Sequence, residues 1–304
     1  MRVVEVTAFG APDVLRPAER PDPVPAENEV VVRVHAASIN PSDLAARSIG
    51  TRYIPDLTLP FVPGWDLAGV VHAVGDRVTA YRVGERVCGM IPFAMIGGRV
   101  GAYAELAAVK PDWLAPLPDT VSFEEGATLP LNALTAAQAL AYFELLPESR
   151  LLITGASGGV GGFAVSLASR LGVHVIAVAG RDDEAWVRSL GAAEVLPRDA
   201  DLLTLPALDG VLDAVPVGPA RSTPALRLGA PAVFTRPPGV QTDRYRFETV
   251  RVAGDEVTLR EMARLLGEGV LRTRVAEVLP LAEGSEGHRL AERGGLRGKV
   301  VLRP

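Results

Sequence analysis

The chain has 304 residues, of which 48% are hydrophobic and 22% are charged, and its formal net charge is −5. These values are typical of a globular protein with one or two domains and enough apolar side chains for a core. The negative charge gives no attraction to nucleic acid or to an anionic membrane, so we expect neither as a partner. Cys88 is the only cysteine, which excludes an intramolecular disulfide.

The N-terminal residues lack the uninterrupted apolar stretch of a signal peptide. No segment of the chain approaches the ~20 consecutive apolar residues that a membrane-spanning helix needs. We therefore expect a cytoplasmic protein.

The first third of the sequence predicts short β-strands separated by Gly and Pro residues. The candidate strands are Val3–Phe9, Glu29–Ile39, Leu67–Val74, Arg86–Met90 and Glu105–Val109. Short strands with frequent turn residues favour a small barrel or sandwich over a layered α/β structure.

From residue 122 onwards the pattern changes to alternating helices and strands. Ser122 and Glu125 have the spacing of a capping box, and residues 132–145 are compatible with a buried helix. The predicted elements that follow are the strands 151–154, 173–179, 194–196, 211–215 and 232–235, the helices 160–171, 182–190 and 256–266, and a last strand at 299–302. Alternation of this kind predicts a parallel, doubly wound sheet.

A glycine-rich segment lies between a predicted strand and a predicted helix, which is the context of a dinucleotide-binding loop. Glycines let the backbone approach a pyrophosphate at the start of a helix. The residues that we expect to bind the cofactor here are Gly155, Ser157, Gly158, Gly159, Val160 and Gly161. The spacing is one residue longer than the usual G-x-G-x-x-G, and a purely structural turn is the alternative.

The end of the second predicted strand indicates which cofactor binds. NAD-binding sites usually carry an acidic residue there, whereas this chain has Gly180 followed by Arg181. A guanidinium binds a ribose phosphate that a carboxylate would repel, so NADP(H) is favoured, with Arg198 as a second contact. NAD remains the alternative, because one of the acids at 182–184 could reach the ribose.

Several motifs in the expected order resemble the zinc-independent quinone oxidoreductases of the medium-chain dehydrogenase/reductase superfamily. They are Ala36–Asp43, Pro60–Val71, Ala102–Glu105, Leu134–Ala136, the glycine loop and the C-terminal Gly294–Leu302. The resemblance covers nearly the whole chain.

The resemblance implies a GroES-like β-rich catalytic domain, formed by residues 1–121 and 265–304, and a Rossmann domain, formed by residues 122–264. It also implies a substrate cleft between the domains and a homodimer. The chain is short for the family, and the missing residues fall around 199–210. Residues 213–216 and the segment that starts at Phe234, which we expect at the cofactor, depart from the family pattern.

Zinc ligands of the related alcohol dehydrogenases are absent from the corresponding positions. Asn40 stands where those relatives place a catalytic cysteine, and Gly64-Trp65-Asp66 replaces Gly-His-Glu. One cysteine also excludes a four-thiolate site. We therefore expect no metal.

The resemblance also indicates candidate site residues. Tyr53 is the candidate proton donor, with loop packing as the alternative. Asn40 and Asp43 are expected to orient the nicotinamide end, or else to cap a turn. Three further cofactor-binding candidates are named from the family pattern, each with a structural alternative: Asn132, Thr135 and Arg297.

Without a Lewis acid, reduction of a quinone is easier than oxidation of an unactivated alcohol. The expected activity is therefore NADPH-dependent hydride transfer to a quinone. A 2-alkenal or enoyl-thioester reductase is the enzymatic alternative, and a redox-silent NADP-binding protein is the alternative of another class.

Overall fold

A computed structural model describes residues 1–304. Its strands, in chain order, are β1 (Arg2–Val6), β2 (Leu15–Glu19), β3 (Val30–Ser38), β4 (Asp66–Val74), β5 (Arg86–Met90), β6 (Leu106–Val109), β7 (Leu114–Pro116), β8 (Arg150–Thr154), β9 (His174–Ala179), β10 (Glu194–Pro197), β11 (Gly210–Asp213), β12 (Pro231–Phe234), β13 (Arg246–Thr249), β14 (Val275–Pro280) and β15 (Lys299–Arg303).

The α-helices are fewer than the strands. They are α1 (Pro41–Ile49), α2 (Phe123–Thr128), α3 (Pro130–Leu140), α4 (Gly159–Arg170), α5 (Glu184–Ser189), α6 (Pro219–Ser222), α7 (Glu256–Gly267) and α8 (Gly284–Arg293). None has the length and apolar character that a crossing of a bilayer requires.

The chain forms two compact units. The first contains residues 1–131, 253–269 and 274–304, and the second contains residues 132–252 and 270–273. These limits differ from the boundaries expected from the sequence, because α2 packs on β3 and β4 and α7 packs on β7. Residues 122–131 and 253–264 therefore belong to the β-rich unit and not to the nucleotide-binding unit.

The first unit is built on a seven-stranded sheet with the order β14-β15-β3-β4-β5-β7, in which β6 also pairs with β3. Strand β3 is central and is covered on both faces, so Val31 is as fully buried as Val30 and Val32. The sequence predicted this β-rich unit, and the structure confirms it.

Strand β15 joins the C-terminus of the chain to the middle of this sheet. It pairs antiparallel with β3 through Val301 and Ser38, and parallel with β14. Lys299, the first residue of β15, is thereby brought beside the end of β3. The sequence predicted β15. It predicted neither β14 nor the pairing of β15 with β14 and β3.

The second unit contains a parallel six-stranded sheet with the order β10-β9-β8-β11-β12-β13. The predicted doubly wound fold is confirmed, and its strand order reverses between β8 and β11, where such folds bind ligands. The crossover from β10 to β11 contains only the 3₁₀ turn Leu202–Thr204, and α6 has four residues. The sheet is covered here by leucines that lie in or near these short segments, namely Leu202, Leu208 and Leu226.

Candidate active site and cofactor site

The glycine loop begins directly after β8 and is closely packed. Gly155 has φ of +62°, in the left-handed region that favours glycine. A Cβ on Gly161 would lie 2.2 Å from the carbonyl oxygen of Gly155. The Gly158 N–H donates to that same oxygen at 2.9 Å. Glycine is therefore required at 155 and 161 by the loop itself.

Asn132 lies against the start of α4. A Cβ on Gly159 would be 2.5 Å from Asn132 Oδ1, and the Asn132 side chain is buried. Thr135 lies one turn later on α3 and is also buried. The structure thus brings Asn132 and the glycine loop together.

The glycine loop fits a dinucleotide. Helix α4 has 12 residues, and no side chain caps its N-terminus at Gly158. Gly158 is exposed, and Ser157 and Val160 are half-buried. Backbone amides at the start of a helix, beside the reversal of strand order, form the site at which such sheets bind pyrophosphate.

Two arginines lie at the ends of β9 and β10, where we expected the adenosine end of the cofactor. The Arg198 guanidinium lies 3.5 to 3.8 Å from the position that a Cβ on Gly180 would take. It therefore occupies the space in which an NAD-binding protein would place an acidic side chain. Arg181 is exposed and forms an ion pair with Asp199 at 3.7 Å.

Asp213, which was noted in the sequence only as part of an unusual turn, organises the loop after β11. Its Oδ1 accepts a hydrogen bond from Thr154 Oγ1 at 2.5 Å, and its Oδ2 accepts one from the Gly218 N–H at 3.0 Å. Burial raises the pKa of this carboxyl. Val215, within that loop, lies directly over Gly155.

Two expected cofactor residues are in different environments. The Phe234 side chain is 2% exposed and packs against the Phe247 ring at a centroid distance of 5.2 Å, so it is a core residue. Only the backbone at position 234 could contact a ligand, which corrects the expectation for this side chain. Arg297 is exposed and lies just before β15.

A buried polar cluster lies at the end of β3 in the first unit. The Asn40 N–H donates to Asp43 Oδ2 at 2.8 Å, and the Gly64 N–H donates to Asp43 Oδ1 at 3.0 Å. Asn40 Nδ2 donates to Asp66 Oδ2 at 2.9 Å. Lys299 Nζ donates to Asn40 Oδ1 at 2.6 Å. Both ends of the Asn40 amide are therefore held by charged groups.

Asp66 and Lys299 complete this cluster, which we call the Asn40 cluster (Ser38, Asn40, Asp43, Asp66 and Lys299). Asp66 also accepts hydrogen bonds from Ser38 Oγ at 3.1 Å and from the Leu131 N–H at 2.8 Å. Lys299 Nζ also donates to the carbonyl oxygen of Ile39 at 2.5 Å. Sequence analysis named neither as a site residue, although both belong to motifs that it quoted.

The charges of the Asn40 cluster do not balance when both carboxyls are ionised. Burial raises the pKa of Asp43 and raises that of Asp66 to about 6. Burial also lowers the pKa of Lys299, although the two carboxylates oppose this shift. The cluster therefore binds a proton more readily than separate aspartates in water.

The three expected catalytic residues differ in exposure. Asn40 and Asp43 are each 1% exposed, whereas Tyr53 is 41% exposed and follows the short 3₁₀ turn after α1. Trp65 is buried, and its ring centroid lies 5.9 Å from that of Phe93, so it packs in the barrel core.

Comparison with known proteins identifies the family. The model of the alcohol dehydrogenase GroES-like domain matches residues 26–119, and that of the zinc-binding dehydrogenases matches residues 190–302. Together they cover most of the chain. The chain belongs to the medium-chain dehydrogenase/reductase superfamily. It lies among the quinone oxidoreductase-like members, as the sequence motifs indicated.

Individual members of the superfamily are similar over part or all of the chain. Quinone oxidoreductase from Mus musculus is 36% identical over 64% of this chain, and the match spans 57% of that relative. The solved quinone oxidoreductase of Coxiella burnetii is 29% identical, with a TM-score of 0.89, 100% of this chain covered and 99% of that one. A solved NAD-dependent alcohol dehydrogenase has the same TM-score and identity, with 100% of both chains covered.

The residues of this superfamily member do not fit a zinc ion. Trp65 has no lone pair to offer a metal, and the carboxylate oxygens of Asp66 already accept three hydrogen bonds. Cys88 is buried on β5. No group of three or more His, Cys, Asp or Glu side chains is arranged to hold a metal ion.

Proposed function

We propose that this protein is an oxidoreductase that binds NADP(H) and transfers a hydride to a quinone without a metal ion. The observation that carries the cofactor proposal is the Arg198 guanidinium over Gly180, where NAD-binding relatives of this fold carry an acid. Similarity to quinone oxidoreductases supports the substrate class.

The chain's own residues have separable roles in this proposal. The amides at the start of α4 would bind the pyrophosphate, and Asn132 would hold the first turn of that helix in place. When bound, the reduced nicotinamide would supply the hydride. Arg297 would bind near the cofactor phosphates.

The Asn40 cluster would provide fixed polar groups for the reaction. The Asn40 amide is held from one side by Asp66 and from the other by Lys299, so it cannot rotate without breaking a charge-assisted hydrogen bond. Groups that are held before the substrate arrives need no reorganisation as charge develops on it. Asp43 would fix the backbone of Asn40, and exposed Tyr53 would donate the proton.

The test is NADPH oxidation, followed by nicotinamide absorbance, with quinones beside enones and enoyl-thioesters as acceptors. We expect turnover with quinones, a clear preference for NADPH over NADH, and no loss of rate after dialysis against a chelator. Turnover with conjugated alkenes alone would instead support an alkene reductase. NADPH binding without turnover on any acceptor would support a redox-silent NADP-binding protein.

Tyr53→Phe tests the proton donor within the same assay. The substitution removes only the hydroxyl of an exposed side chain, so we expect normal folding and normal NADPH affinity with at least tenfold slower turnover, since general acid catalysis contributes about 10²-fold or more. Tyr142→Phe, at a tyrosine of the second unit that is also exposed, is the control. Unchanged turnover of Tyr53→Phe would remove this residue from the mechanism.

The assembly and the location of the protein are further proposals. Resemblance to the quinone oxidoreductases supports a homodimer, and a cytoplasmic location stays a prediction from the sequence. Light scattering after size exclusion would show a mass near twice that of the 32.0 kDa chain, and a single-chain mass would contradict the dimer.

A further inference from the structure

Arg221 is an exposed arginine on α6 to which sequence analysis gave no role. Its Nη2 donates a hydrogen bond to the backbone carbonyl oxygen of Arg198. Helix α6 follows β11, whereas Arg198 follows β10, so this bond joins two segments that lie 23 residues apart in the chain.

The short crossover explains why these segments meet. Between Pro197 and Gly210 the chain contains only one 3₁₀ turn, so no crossover helix separates the turn after β10 from α6. The turn after β10 therefore has a side-chain donor in Arg221.

Two of the three arginines at this place have no carboxylate partner. Arg181 is paired with Asp199, but neither Arg198 nor Arg221 takes part in an ion pair. A guanidinium without a carboxylate partner attracts an anion. A phosphate monoester, with its several acceptor oxygens, is the anion that guanidinium groups bind most effectively.

We propose that Arg221 is a positioning residue for the 2′-phosphate of the adenosine ribose: it holds the turn that carries Arg198, and Arg198 binds the phosphate. This inference rests on the proposed dinucleotide binding and assigns its selectivity to a residue of α6. Arg181, whose guanidinium already contacts a carboxylate, has a smaller part.

The test measures binding without turnover. Calorimetry on the purified full-length protein compares adenosine 2′,5′-bisphosphate with adenosine 5′-monophosphate, which differ only by the 2′-phosphate. We expect the bisphosphate to bind at least tenfold more tightly to the parent protein, because one charge-assisted hydrogen-bonded contact is worth about tenfold or more in affinity. Arg198→Gln should abolish this preference.

Arg221 variants then separate positioning from folding. Arg221→Leu should lose most of the preference for the bisphosphate while its affinity for the monophosphate and its thermal midpoint stay near those of the parent. Arg221→Lys retains a cationic donor for the Arg198 carbonyl and should recover part of the preference. Arg227→Gln, which removes an arginine from the same unit that is paired with Asp209, is the control and should change neither affinity.

The possible failures are distinguishable. A parent protein that binds neither nucleotide overturns the proposed function together with this inference. Equal affinity of the parent for both nucleotides overturns the inference and leaves dinucleotide binding intact. A full preference in Arg221→Leu shows that the turn holds Arg198 without this side chain and overturns the role of Arg221.

Discussion

Asp66 is a buried carboxyl whose protonation affects the stability of the fold. Burial raises the pKa of its carboxyl to about 6 in the folded protein, whereas an aspartate in water has a pKa of about 3.9. Between these values the folded state binds more protons than the unfolded state, so the free energy of unfolding falls as the pH rises. The total decrease is ~3 kcal/mol for a shift of this size.

Asp66→Asn removes the titrating carboxyl. We expect its free energy of unfolding to depend less on pH between about pH 4 and pH 7 than that of the parent protein, with the remaining slope due to Asp43, whose pKa is also raised by burial. Urea unfolding at several pH values provides the measurement, and Asp112→Asn, at an exposed position, is the control. An unchanged slope in Asp66→Asn would show that Asp66 ionises normally in the folded protein.

Lys299 compensates the charge of the same cluster. Lys299→Met removes the donor to Asn40 Oδ1 and to the Ile39 carbonyl and leaves two carboxyls without a cation, so we expect a loss of ~2–3 kcal/mol in the free energy of unfolding. In the double variant with Asp66→Asn, the second substitution should restore part of this loss, because one uncompensated carboxyl is gone. Additive losses would argue against the coupling.

At the residue scale, sequence motifs identified only part of the site. Asn40, Asp43 and Asn132 were named because family patterns mark them, and the loop glycines were named because they lie between a predicted strand and a predicted helix. The approach of Lys299 to Asn40 depends on the pairing of β15 with β3, between positions more than 250 residues apart in the chain. No local spacing contains that information.

At the scale of elements, the sequence predicted the strands that have strong apolar patterns, such as β5 and β8. Strand β13 was missed because its residues Arg246–Thr249 form a half-exposed edge without regular alternation. Helix α8 was missed because Gly284 and Gly287 disfavour a helix. The structure uses Gly287 for close packing, since a Cβ there would lie 2.6 Å from Ile39.

The turn between β8 and α4 offers a matched pair of substitutions. A methyl group at position 161 would lie 2.2 Å from a backbone oxygen, so Gly161→Ala should reduce the free energy of unfolding by ~2–3 kcal/mol. At position 158 the nearest atom is 3.2 Å away, so Gly158→Ala should cost less than ~1 kcal/mol.

NADPH affinity should reveal the effect of the substitution at position 158, which the free energy of unfolding does not. Gly158 is exposed at the start of α4, where we propose that the pyrophosphate binds, so we expect the added methyl of Gly158→Ala to weaken binding at least tenfold in a protein that is still stable. Fluorescence titration with NADPH is the measurement. Parent-like affinity in Gly158→Ala would show that the phosphates bind elsewhere.

For the whole molecule, the sequence predicted two domains but not where the chain passes between them. The predicted boundaries followed the change from strand to helix patterns, whereas α2 and α7 are helices that pack on strands of the β-rich unit. Secondary-structure type is therefore a poor guide to the boundaries here, because packing partners decide membership of a unit.

Deletion of residues 299–304 tests how far the first unit depends on its last strand. It removes β15 from between β14 and β3 and removes Lys299 from the Asn40 cluster. We expect loss of cooperative unfolding of the first unit in calorimetry, while a chain that lacks only Pro304 should unfold as the parent does. A stable, cooperatively unfolding deletion variant would contradict this dependence.

The position of β15 also determines the order in which the protein can be completed during synthesis. Residues 132–252 of the second unit leave the ribosome well before Lys299–Arg303, and domains fold as units while the chain grows. The first unit begins earlier but cannot complete its sheet until Lys299–Arg303 have been made. Strand β6 can already pair with Val30–Arg33 of β3, but the end of β3 at Ala37 and Ser38 has no β15 to pair with until then.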